Sequence, residues 1–163
     1  AHAGTSMEVF AAALEASWLG AAMRDHPFLY PLVNVVHLLG LVLIVGGIGL
    51  LDLRLLGFAR KVPLTAIYGL LTGAAGVGIV IQILSGISLF ASDATALLNN
   101  NAFGLKMLLF ALALANAGAF RLIWSSRVTD WDRHPPFIGL VQAALSLMLW
   151  LSIGALGRWI AYA

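Results

Sequence analysis

The sequence predicts an all-α fold, an integral membrane four-helix bundle with an N-terminal amphipathic interfacial helix. Two observations carry this expectation. The 163 residues are 61% hydrophobic and only 10% charged, with a mean hydropathy of +0.98, whereas a soluble domain carries about 25% charged residues. A globule this small has too much surface to cover with so few ionic groups. The apolar residues also form four continuous runs, each long enough for the roughly 20 helical residues that cross a hydrocarbon core of about 30 Å. A transmembrane barrel would instead need alternating segments of about 10 residues. Runs rich in Ala and Leu satisfy their backbone groups as helices.

The elements follow in order. Residues 1–6 read as a tag remnant ahead of a start at Met7, or as a processed N-terminus. Residues 7–25 predict a helix lying in the membrane interface, with Phe10, Leu14, Trp18 and Met23 apolar and Glu8, Glu15 and Arg24 polar. The acidic residues and the lack of a continuous apolar run argue against a signal peptide. Residues 26–163 form the bundle, with spans at about 28–51, 66–91, 103–124 and 137–160. Asp52, Arg54, Arg60, Lys61 and Pro63 end the first span, Ser92, Asp93 and Asn99 to Asn101 the second, and Arg127 to Pro136 separates the third from the fourth.

Charge placement orients the bundle. Arg54, Arg60, Lys61, Arg121, Arg127 and Arg133 lie on one side and Arg24, Lys106 and Arg158 on the other. The positive-inside rule then makes the loops after spans one and three cytoplasmic and puts both termini in the periplasm of a bacterial inner membrane. Nine cations scattered among seven acids form no basic patch, which argues against nucleic acid. Zero cysteines exclude disulfides, thiol catalysis and cysteine-ligated clusters. No P-loop, Rossmann fingerprint or HExxH occurs, so nucleotide-driven transport and zinc hydrolysis have no visible machinery.

His37 is the residue that demands a reason. It lies about 13 Å below the outer start of span one at 1.5 Å per residue, and intramembrane ionisable groups usually face the bundle interior and mark function. A neutral imidazole is a suitable haem ligand; the alternative is a structural hydrogen bond across helices, to Asn116 or Gln142. Asn34 and Gly40 share the face of His37, and Gly40 either leaves room for a flat macrocycle or marks close helix packing. Lys106, also in the outer half, either snorkels to the interface or serves as a haem-propionate partner or second ligand. Met148, Met107 and His26 are the other candidates for a sixth position; Met148 otherwise packs. Asp52 and Arg54 read as a helix-end ion pair or interfacial anchor. Gly69 and Gly73 form a GxxxG pattern, followed by Gly76 and Gly78, for close approach within the bundle or in a homodimer. Trp18, Trp124 and Trp159 read as belt anchors, and Trp150 as packing against a cofactor or filling the core.

The segments His37-Leu-Leu-Gly40, Leu51-Asp-Leu-Arg-Leu-Leu-Gly57, Ser85-Gly-Ile-Ser-Leu-Phe-Ala-Ser-Asp93 and Asn101-Ala-Phe-Gly-Leu-Lys-Met107 resemble an uncharacterised bacterial family of four-span membrane proteins, a domain of unknown function. More distantly, the first-span His with its following Gly and the third-span Lys are similar to the copper-resistance D-type membrane domain and to HemJ-type protoporphyrinogen oxidase. That resemblance implies a haem role for His37 and Lys106. The expected function is therefore that of a haem b protein, an electron-transfer subunit or membrane anchor of a redox complex, exchanging electrons with a periplasmic or membrane partner or a quinone. The alternatives are a copper- or other metal-handling membrane protein and a cofactor-free assembly subunit. Protoporphyrinogen oxidase activity is an enzymatic variant of the haem reading.

Overall fold

In a computed structural model, which describes residues 6–160, the chain is helical throughout apart from short connections. The expected interfacial helix is two helices, α1 (Ser6–Glu15) and α2 (Trp18–Asp25). The break has a local cause: Ser17 adopts extended backbone and its Oγ accepts from Gly20 N at 3.3 Å, an N-cap that starts a new helix. Residues 1–5, most of the stretch read as a remnant, lie outside the described residues.

Four helices are long and apolar enough to cross a membrane, which makes this a multi-pass membrane protein: Leu29–Leu55, Leu64–Ser92, Asn101–Asp130 and Phe137–Ile160. Span one is composite. Helix α3 (Leu29–Ile44) runs into a π-helical turn (Val45–Gly49) and continues as α4 (Leu50–Leu55). A π turn shifts the register of all that follows by one residue, so the faces presented before and after it are set separately. The span ends four residues later than expected. Asp52 and Arg54 are buried within it, and the stop is a Schellman motif at Gly57, with Phe58 N donating to Leu53 O and Gly57 N to Arg54 O. Gly57 has φ +107°, a conformation that favours glycine.

Span two is α5 (Leu64–Ser92) and is followed by the short α6 (Ala94–Leu98). Span three comprises α7 (Asn101–Trp124) and a 3-10 turn (Ser125–Asp130). Asn100 Oδ1 caps it by accepting from Ala102 N and Phe103 N, which places its start two residues before the apolar run. Span four is α8 (Phe137–Ile160), which begins after Pro135 and Pro136.

The spans assemble as two hairpins. Helix α3 packs on α5 and α7 packs on α8, while α4 and the π turn join the hairpins by packing on α8. Helices α5 and α7 make no extended contact; Phe90 stacks on Phe103 near their outer ends at 5.5 Å. The first hairpin is pinned by glycines that a methyl group would block. A Cβ on Gly78 would lie 2.8 Å from Gly40 O and 2.9 Å from Ile44 N, and one on Gly47 would lie 2.6 Å from Leu71 O. The close approach expected of Gly69 and Gly73 is thus made by Gly78, Gly40 and Gly47. Nothing lies within 4 Å of the positions a Cβ would take on Gly69 and Gly73.

Candidate functional site

Helices α3 and α5 cross at Gly40 and Gly78, and this crossing brings His37 against two polar side chains of span two. His37 Nδ1 is 2.8 Å from Ser85 Oγ, and His37 Nε2 is 2.8 Å from Gln82 Nε2. The Ser85 hydroxyl donates to Ile81 O at 2.5 Å, so it receives the Nδ1 proton as an acceptor. The imidazole is then neutral with a lone pair on Nε2, to which the Gln82 amide donates. Gln82 Oε1 is left without a hydrogen-bond partner in an almost fully buried side chain. Glycine again supplies the space: the ring lies 3.4 Å from where Gly86 would carry a Cβ.

The structural partners of His37 are therefore not Asn116 and Gln142, which lie deeper and bind one another and Trp124. Asn116 Nδ2 donates to Gln142 O at 3.0 Å, and Trp124 Nε1 donates to Gln142 Oε1 at 2.6 Å. Trp124 is consequently buried and is not a belt anchor, whereas Trp18 and Trp159 are exposed. Trp150 fills the core with Ile44, Leu149 and Ile153, edge-on to Phe110.

Lys106 is part-buried between spans three and four, with Nζ 3.5 Å from the position a Gly157 Cβ would take. It is close enough for its charge to act on His37, so the two residues singled out in the sequence do share the outer half of the bundle. The other candidates are not brought to them. Met148 is 67% exposed on the outer face of span four and Met107 is 41% exposed. His26 is exposed outside the span, with Nδ1 accepting from Phe28 N at 3.4 Å, and Asn34 is exposed. Gly40 faces Gln82 and Ile81, whose atoms lie 2.9 Å from where its Cβ would be, so it serves helix packing and leaves no slot for a macrocycle at that point.

The imidazole is a donor of the type that ligates haem iron, but the packing at Gly40 leaves no room there for the macrocycle. A ligating histidine commonly donates its other ring N–H to a fixed acceptor, and Ser85 is such an acceptor. One group stands in the way, since the Gln82 amide occupies the Nε2 lone pair and must swing aside for an iron to bind. Among the described residues no group of three or more His, Asp or Glu is gathered as a metal would require.

At the other end of the bundle the expected Asp52–Arg54 pair is replaced by a different one. Arg54 Nη1 and Nη2 bind Asp132 Oδ1 and Oδ2 at 2.8 and 2.6 Å, and Nε donates to Val62 O at 2.9 Å. Positions two apart on a helix do not let 52 and 54 face one another, and a planar guanidinium seeks a two-pronged partner. The Arg54 guanidinium holds the Asp132 carboxyl below the usual carboxylate range. Asp52 instead neighbours Ser146 of span four, and its Oδ2 has no hydrogen-bond partner among the described residues.

Residues 10–163 match a family described as Family of unknown function (DUF6644). The chain belongs to this family. No curated protein and no solved structure matches it. The match covers α2 and all four spans, so the His37 cluster, Lys106 and the Arg54–Asp132 pair all lie inside the DUF6644 domain. Sequence reasoning missed Gln82, Ser85, Ser146 and Asp132. The first two carried a signal: polar residues three apart in an otherwise apolar span share a helix face.

Proposed function

We propose that this DUF6644 protein is a haem b-binding protein of the bacterial inner membrane, an electron-transfer subunit or membrane anchor of a redox complex. The observation that carries the reading is the hydrogen bond from His37 Nδ1 to Ser85, which leaves Nε2 as the lone-pair nitrogen, within reach of the charge of Lys106. His37 would hold the iron and Lys106 would pair with a propionate; the bound group would supply one-electron transfer. The positive-inside count supports a topology with the loops after spans one and three in the cytoplasm.

The test is a reduced-minus-oxidised visible spectrum of detergent-purified protein expressed with ample haem. Haem bands are expected, lost or displaced in His37→Ala and unchanged in His134→Ala, whose exposed ring sits beside Asp130. No bands in the wild type overturn the reading. A second reading, a cofactor-free assembly subunit, is favoured by the Gln82 amide on Nε2; it predicts no haem and no metal. Metal analysis of the same sample separates a copper-handling protein, which predicts copper without porphyrin.

A further inference from the structure

A space enclosed by all four spans lies in the half of the bundle away from His37. It is a cavity of about 260 Å³ between the two hairpins, to which all four spans contribute. Its walls are mainly apolar, with the Tyr68 and Phe120 rings and the polar side chains of Asp52, Thr72, Asn116, Arg121, Gln142 and Ser146. Its volume is just below the range typical of drug-sized ligand sites, about 300–1,000 Å³, which suits one substituted ring and not a porphyrin.

Two features say what enters it and from where. Helices α5 and α7 do not pack along their length, and Gly76 on one and Gly118 on the other line the cavity with nothing within 4 Å of where a Cβ would stand. An occupant entering between these two spans would come from the bilayer. Within the cavity wall, Asp52 is 5% exposed and its Oδ2 is unpartnered, whereas the Asn116 amide and Gln142 carbonyls are engaged with one another and with Trp124. Leaving a buried carboxyl oxygen unmatched costs free energy that a ligand group can relieve.

We propose that this cavity binds the headgroup of a membrane quinone or quinol, entering between α5 and α7, with Asp52 Oδ2 hydrogen-bonded to a ring oxygen. A carboxylate accepts from a quinol hydroxyl, and a carboxylic acid donates to a quinone carbonyl. One residue in its two protonation states therefore matches both members of the pair, and the tail remains in lipid. The site does not depend on haem at His37, which lies fifteen residues earlier on span one, about 22 Å at 1.5 Å per residue.

The test titrates a decyl-tailed benzoquinone and its hydroquinone into the purified protein in phosphatidylcholine nanodiscs, reading tryptophan fluorescence. Saturable quenching beyond that of empty discs is expected. It should weaken tenfold or more in Asp52→Leu, which removes the buried carboxyl at similar volume, and in Gly118→Leu, which fills the opening. Two variants guard against misfolding of either one, and circular dichroism checks both. Unsaturable quenching in the wild type, equal binding by Asp52→Leu, or retention of phospholipid in the cavity by native mass spectrometry with no quinone uptake would each overturn the proposal. None of these outcomes bears on the haem spectrum, so the two readings fail separately.

Discussion

Arg54 and Asp132 meet across 78 positions of sequence in a two-pronged ion pair that ties the end of span one to the loop after span three. The Arg54 side chain is 2% exposed and that of Asp132 45%. Trp131, next to the acid, is buried and donates from Nε1 to Leu55 O at 3.1 Å. Removing Asp132 strands a buried guanidinium that still has the Val62 and Arg60 carbonyls. Breaking a fully buried pair costs about 3–5 kcal/mol, but solvent around Asp132 screens this one. Asp132→Ala should therefore lose about 1–3 kcal/mol, read as a fall in Tm in detergent. An unchanged Tm would show the clasp to be ornamental.

The neighbouring aromatic cluster gives a larger effect. Trp131 packs with Phe120, Trp124 and Leu55, and its ring lies against Gly139. Trp131→Ala should cost about 3–5 kcal/mol. Trp131→Phe keeps most of the packing and removes the hydrogen bond, so its Tm should fall between that of Trp131→Ala and that of the wild type.

Glycine positions separate packing from open surface. A methyl on Gly78 meets the backbone of Gly40 and Ile44, which cannot move without parting α3 from α5. Gly78→Ala is expected to destabilise by about 1–3 kcal/mol. Gly73→Ala meets nothing and gains up to about 1 kcal/mol of helix propensity. A Tm that falls equally in both would mean that Gly73 is covered, as in a homodimer.

The four spans were legible because hydropathy over some 20 residues records solvent, not partners. His37 and Lys106 were legible for the same reason, as polar groups in lipid. Their partners were not: Gln82 and Ser85 meet His37 only because Gly40 and Gly78 let two backbones touch, and either glycine could equally have packed elsewhere. Asp132 was hidden among the charges of a loop that reads as solvated. The split at Ser17 was hidden because α1 and α2 share one apolar pattern. Asp52 and Arg54 were read as a helix-end ion pair or an interfacial anchor because sequence proximity was all that could be seen; Asp132 and Ser146, their actual neighbours, lie on other elements.

Orientation can be tested with the chain's own lack of cysteine. Lys61, in the loop after span one, and Thr95, in α6, are exposed at opposite ends of the bundle. In intact cells stripped of outer membrane, a membrane-impermeant maleimide should label Thr95→Cys and reach Lys61→Cys only after lysis. The reverse pattern would invert the topology inferred from the cations.

Acid should loosen both ends of the molecule, and the sign can be worked out. At the loop end, hydrogen bonding to Arg54 holds the Asp132 carboxyl below its ordinary 3.8. At the opposite end, Glu15 Oε1 accepts from Thr95 N at 2.6 Å, and chiefly this backbone bond holds Glu15 below its ordinary 4.5. For both groups the folded value is the lower one, so the unfolded chain binds more protons as pH falls. Their stabilisation is complete above the unfolded values and is lost as pH drops through them to the folded values. The Tm of the wild type should hold steady down to about pH 5 and then decline. Asp132→Asn should start lower at neutral pH and decline less below about pH 4. In Glu15→Gln the Thr95 amide should exchange faster with deuterium at neutral pH, while the Arg54 clasp is untouched. An acid limb of equal slope in the wild type and Asp132→Asn would remove Asp132 from this account and leave the decline to Glu15 and the remaining carboxylates.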